Sequence, residues 1–137
     1  MKFYETDVPV RFYEVDAFGV VWHGHYACYL EIGRLYLSEK LGLSLDEMRR
    51  MGVYAPLVEL KIKYKAFARF GDVLVVKTGI LPTEKASLTF KYIIERKSDA
   101  ALIAEAETTH VLLTLDGKML YQAPEGLKKM LDDYFAG

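Results

Sequence analysis

The sequence predicts an α+β fold in which one long helix lies against one face of an antiparallel sheet, and three observations carry that expectation. A glycine-punctuated loop opens into a helix-length segment where Tyr29, Leu30, Ile32, Gly33, Leu35, Tyr36 and Leu37 leave little polar face. A helix apolar on nearly all sides must be covered by a sheet or by a partner. From Ala55 onward the apolar spacing changes from helical to alternating, in successive segments separated by turn residues. A capped, one-sided helical stripe then closes the chain.

In chain order, residues 7–14 (DVPVRFYE) read as the first strand, with Val8, Val10 and Phe12 on one parity and Arg11 and Tyr13 on the other. In the loop 15–24, Gly19 and Gly24 permit backbone geometry or close approach that a Cβ would block. A helix over 25–40 ends at Gly42. Ser44 stands three residues before Glu47, a capping box for a short helix that Gly52 stops. Over 55–68, Val58, Leu60, Ile62, Tyr64 and Ala66 face one way and Glu59, Lys61, Lys63 and Lys65 the other, a half-buried strand. Phe70, Gly71 and Asp72 turn into a strand over 73–81, which Pro82 and Thr83 end. The strand 87–96 sets Leu88, Phe90, Tyr92 and Ile94 on one face, and Lys97, Ser98 and Asp99 turn it into another strand over 101–115. Asp116-Gly117 is the strongest short hairpin signal, returning the chain through 118–121. Pro124 opens the closing helix, whose stripe is Leu127, Met130, Leu131 and Tyr134. The first strand needs a crossover to rejoin the sheet.

With 137 residues, 52% apolar and 27% charged, the chain reads as one globular domain over 1–137 that needs no staples. A formal net charge of −1 supplies no global field for nucleic acid or an acidic membrane. The single cysteine, Cys28, excludes an intramolecular disulfide, and MKFYETDVPVRFYE lacks a signal peptide's apolar run. A cytoplasmic protein is the expectation. The helical segment is too interrupted to span a membrane.

Asp16 is the first candidate for chemistry. One reading makes it a turn or capping aspartate. The other starts from its neighbours Val15, Ala17, Phe18, Val20, Val21 and Trp22, which predict a poorly solvated carboxylate beside a helix start. The free N–H groups there can stabilise an oxyanion, so the pair is the minimum for acyl transfer to water. His23 and His25 invite a zinc reading, but catalytic zinc wants three well-placed ligands and the remaining histidine, His110, is far along a strand. His25 and Cys28 sit three apart, yet a free cysteine usually behaves as a buried hydrophobe. Glu31 and Arg34 read as an ion pair, with Glu31 a reserve carboxylate. Lys61, Lys63 and Lys65 read as a solvated or edge-guarding row, with phosphate binding the alternative. P-loop, GxGxxG, GxSxG and CxxC signatures are all absent, which argues against nucleotide hydrolysis, dinucleotide redox and serine-esterase chemistry.

The text YEVDAFGVVWHGHYACYLEIGR, followed in register by LKIKYKAFARFGD and EKASLTF, resembles the 4-hydroxybenzoyl-CoA thioesterase-like branch of the hotdog-fold acyl-CoA thioesterases. The resemblance covers nearly the whole chain and implies a long central helix wrapped by about five antiparallel strands. It also implies a homodimer or homotetramer formed by joining sheets edge to edge. By the same match Asp16 is the catalytic nucleophile or general base, and the backbone N–H of His23 polarises the thioester carbonyl. Gly19, Trp22 and Tyr26 then fall at the substrate, and Lys85 and Ser87 fall where the family contacts coenzyme A. Val15 departs from the threonine many members carry there. The expected activity is hydrolysis of an acyl-CoA thioester without metal or other cofactor. The alternatives are the same reaction on acyl groups of acyl carrier protein, docked by the lysine row, and a hotdog protein that binds acyl-CoA without turnover.

Overall fold

The computed structural model describes residues 1–137. Its strands are β1 (Tyr4–Pro9), β2 (Val53–Tyr54), β3 (Leu57–Tyr64), β4 (Val73–Leu81), β5 (Ser87–Arg96), β6 (Leu102–Val111) and β7 (Leu113–Thr114). Three helices, α1 (Tyr26–Lys40), α2 (Leu45–Arg50) and α3 (Glu125–Ala136), complete it. Five strands form one antiparallel sheet in the order β1-β4-β5-β6-β3, so the first and second long strands stand on opposite edges. The intervening α1 packs on β1, β4 and β5, which is the crossover the first strand required.

The seat of that helix is Gly33. A Cβ there would stand 2.4 Å from Thr78 Oγ1 and 2.7 Å from Val76 Cγ1, distances no side chain tolerates. Around this contact the buried face of α1, Tyr26, Tyr29, Leu30, Gly33 and Leu37, meets Leu74, Val76, Ile80 and Ile94 of the sheet. Thr78 Oγ1 is enclosed beneath the helix with no hydrogen-bond partner. The helix ends as its sequence directs, with Gly42 at φ +75°. Ser44 Oγ then accepts the Glu47 N–H at 3.2 Å to start α2.

Three expectations change. The first strand lies earlier, at Tyr4–Pro9, because Glu14 draws the following residues into a 3-10 turn, Phe12–Glu14. Its N–H donates to Arg11 O at 3.0 Å and its carboxylate accepts the Arg11 N–H at 2.7 Å. Val8 and Val10 are buried as expected, but Phe12 is rotated out and 74% exposed. On β3, Val58, Leu60 and Tyr64 are exposed rather than half-buried, since β3 is an edge strand and the body of α1 packs on β1, β4 and β5, meeting β3 only where Tyr26 touches Tyr64. The segment 101–115 is two strands, divided at the fully buried Leu112, and β7 leaves the main sheet to pair with β2.

A polar line crosses the core. His110 Nδ1 lies 3.0 Å from the carbonyl of Ala55, which can only accept, so Nδ1 carries the proton. In the neutral ring Nε2 then accepts from Thr108 Oγ1 at 3.1 Å, and Thr108 in turn accepts from Tyr92 Oη at 2.7 Å. Burial holds the His110 pKa below its ordinary value and pushes the Tyr92 phenol up to about 12.

Two outcomes follow for stability. Gly33→Ala lowers unfolding free energy by about 1–3 kcal/mol in denaturant titration, because the helix must lift off β4. As pH falls, the unfolded chain takes up the His110 proton before the folded one, since the folded pKa is depressed. The contribution of His110 is complete above about pH 6.5 and is lost as acid passes through the lowered value. Tm measured from neutral pH to about 5 therefore slopes downward in wild type, and His110→Gln flattens that slope while lowering Tm at neutral pH.

Candidate active site

The site begins as a hairpin. Val15 and Val21 pair across an antiparallel bridge, the Asp16 N–H donates to Val20 O at 2.8 Å, and the Gly19 N–H donates to Asp16 O at 3.0 Å. Gly19 has φ +79°, a conformation that needs glycine. Asp16 sits at the first corner, where its Oδ1 accepts the N–H of Phe18 at 2.8 Å and of Val20 at 3.4 Å. Both amides go to the same oxygen, so Oδ2 is left without a hydrogen bond from the hairpin. The turn reading of Asp16 is thus realised in its backbone, and it fixes the direction of the carboxylate.

The hairpin is docked on the connection between β3 and β4, where the Val21 N–H donates to Ala68 O at 2.8 Å and Val20 bridges to Arg69. That connection is held by one guanidinium. Arg96 donates to Phe67 O at 2.7 Å, to Asp72 Oδ2 at 3.1 Å and to Asp99 Oδ2 at 3.0 Å. The other end of the hairpin leads through Trp22, whose N–H donates to Glu14 O at 2.9 Å, into the 3-10 turn His23–His25 and directly into α1. The His23 N–H has no backbone acceptor, while the His23 carbonyl accepts from Tyr64 Oη at 3.1 Å. An anchored carboxylate and an uncommitted amide therefore share a short, braced loop at the positive end of α1.

The surroundings of Asp16 are wetter than its neighbours suggest. Val21 is buried and Val15 and Val20 are half-buried, but Phe18 is 87% and Trp22 48% exposed, and Asp16 itself is half-buried. Trp22 lies over Gly24, where a Cβ would meet its ring at 2.1 Å, and its ring is 4.9 Å from that of His23. Tyr26 is buried at the helix start, edge-on to Tyr29 and Tyr64, and burial raises its phenol pKa. Lys85 and Ser87 are not brought to this place. Lys85 lies in the β4–β5 turn and Ser87 opens β5, a strand length of roughly 30 Å from the end of β4 where the hairpin docks. There they line an open cavity of about 540 Å³, one wall of which is α3.

Asp16, His23 and His25 form no cluster of three ligands. Cys28 is exposed on α1, and Glu31 and Arg34 form the ion pair their spacing suggests. The lysine row is charge-balanced: Lys61 and Lys63 stand opposite Glu107 and Glu105 on β6, and Lys61 Nζ is 3.1 Å from Glu59. A second cleft of about 760 Å³ runs under the far half of α1, lined by Leu35, Leu43, Met48, Val53 and Phe90 with Arg34 in its wall. Sequence reasoning passed over Glu14 and Tyr64. A charged residue inside an aromatic, strand-like run, three after Arg11, was the signal for Glu14, whereas Tyr64 sat in a row that read as core.

The family model described as "Thioesterase-like superfamily" matches residues 10–131. The acyl-acyl carrier protein thioesterase ATL3 of Arabidopsis thaliana is 37% identical over 82% of this chain, and the chain spans only 59% of that relative's length. The acyl-CoA thioester hydrolase YbgC of Escherichia coli is 31% identical over 72% of this chain and 75% of its own. A solved DHNA-CoA thioesterase from Staphylococcus aureus superposes with a TM-score of 0.90 at 25% identity, covering 99% of this chain and 93% of its own. No helix is long and apolar enough to cross a membrane. A five-stranded sheet wrapped on one long helix, found together with a family match over nearly the whole chain, identifies this protein as a hotdog-fold member of the thioesterase-like superfamily.

Proposed function

We propose that the chain is an acyl-CoA thioesterase, with Asp16 as the catalytic carboxylate and the His23 backbone N–H as the oxyanion donor. The observation that carries this reading is the braced loop in which a directed carboxylate and an uncommitted amide stand at the start of α1. In the nucleophilic route Asp16 Oδ2 attacks the thioester carbonyl, the C–S bond breaks, coenzyme A leaves as thiolate, and water hydrolyses the acyl-aspartyl anhydride. In the general-base route Asp16 takes a proton from the attacking water. Both develop negative charge on the carbonyl oxygen, which the His23 N–H and the α1 N-terminus oppose. A thiolate departs readily, so no strong general acid is required.

A second copy completes the arrangement. The unpaired edge of β3 supports an assembly by sheet edges, and the exposed Ile32, Leu35 and Tyr36 on α1 are apolar surface that a partner would cover. Lys85 and Ser87 reach the substrate's coenzyme A only from another protomer or along a ligand that spans the sheet. The acyl carrier protein alternative draws support from the ATL3 relationship. The balanced lysine row weakens its original rationale, because Glu105 and Glu107 cancel much of the field an acidic carrier would follow.

Thiol release from aromatic, short-chain and long-chain acyl-CoAs tests the reading. Wild type turns over at least one of them, and Asp16→Asn, which keeps the shape and removes the charge, loses about 10²–10⁴-fold in kcat while its Tm stays near wild type. Turnover unaffected in the variant removes Asp16 from the mechanism. A preference for acyl carrier protein thioesters that collapses as salt rises moves the carrier reading ahead.

A further inference from the structure

We propose that Glu14 is the positioning residue of this site: through Tyr29 it sets the spacing between the Asp16 carboxylate and the His23 amide. The inference rests on the catalytic reading of Asp16 and adds to it a residue outside the reacting atoms. Glu14 is a buried carboxylate, 7% exposed, two residues before Asp16. Its Oε1 accepts two hydrogen bonds, from the Arg11 N–H at 2.7 Å and from the Tyr29 hydroxyl at 3.0 Å in a buried contact. Its main-chain carbonyl accepts the Trp22 N–H at 2.9 Å.

These three bonds tie together the parts whose relative position matters. The bond from Arg11 fixes the turn by which the chain enters the hairpin. The bond from Trp22 fixes the residue immediately before His23, on the way out. The bond from Tyr29 fixes both to α1, one turn beyond the helix start, so the hairpin cannot slide along the helix without breaking a charge-assisted hydrogen bond in a buried place. Tyr29 is suited to remain the donor, because burial, the Glu14 hydrogen bond and the Glu14 charge all raise its pKa. Packing would be satisfied by an apolar residue at position 14. A carboxylate there answers a directional need, since leaving it unpaired would cost more than omitting it.

Steady-state kinetics of Glu14→Gln, Glu14→Ala and Tyr29→Phe against the best thioester test the proposal. Tyr29→Phe removes a single oxygen and guards against misfolding. The expected result is a kcat lowered about 10–100-fold with KM within about threefold of wild type, as for a displaced but intact catalytic group. Glu14→Gln, which retains an acceptor oxygen, is expected to be less impaired than Glu14→Ala. Amide NMR supplies a readout independent of turnover: Phe18, Gly19 and His23 N–H signals shift in all three variants while those of α3 do not. Variants that fold with kcat within twofold of wild type overturn the proposal. If wild type hydrolyses no thioester, the acyl-CoA reading fails on its own, and unmoved Phe18 and His23 signals overturn the positioning role as well.

Discussion

The contact on which the rest of the structure depends is the seat of α1 on β4, where a missing side chain at Gly33 lets the helix backbone approach Thr78 and Val76. A helix held at that height buries Tyr29, Leu30 and Leu37 against the sheet interior, and it places the helix start above the connection that leads into β4. With any Cβ at position 33 the helix would rise, and the core would be left either loose or strained. The loop before the helix inherits the same constraint. Its position is measured from α1 through Tyr29 and from the β3–β4 connection through Ala68.

Most of this architecture was legible because the signals were local. Period changes, the Ser44 cap, the glycines at 42, 52, 71 and 117, and the strand 87–96 are read from neighbours in sequence and recur at those places in the fold. What escaped depended on distant partners. The alternation of β3 is that of a half-buried strand, but burial requires something to lie on it, and the body of α1 lies over β1, β4 and β5 instead. The first strand was misplaced by the pull of Glu14 on Arg11, a side-chain interaction that alternation does not register.

The candidate site divides the same way. Asp16 and its hairpin were visible from a carboxylate, a glycine and a helix start within one short stretch. Its solvation was not, because Phe18 and Trp22 have the composition of a dry pocket and the exposure of a surface. Lys85 and Ser87 fall at the far end of the sheet, a separation that follows from strand length and topology and is invisible in a linear motif.

Arg96 gives the site a place in time as well as in space. The hairpin at residues 15–21 leans on residues 67–72, and those are clamped by a guanidinium supplied from the end of β5. During synthesis the carboxylate and the helix emerge early, yet the support that orients them arrives only after some eighty further residues have been made, Arg96 being the eightieth after Asp16. Contacts of such long sequence separation form late, after the loop-closure entropy between them has been overcome. A nascent or truncated chain ending before Arg96 thus holds the groups of the candidate site without their arrangement, which arrives with the completed sheet.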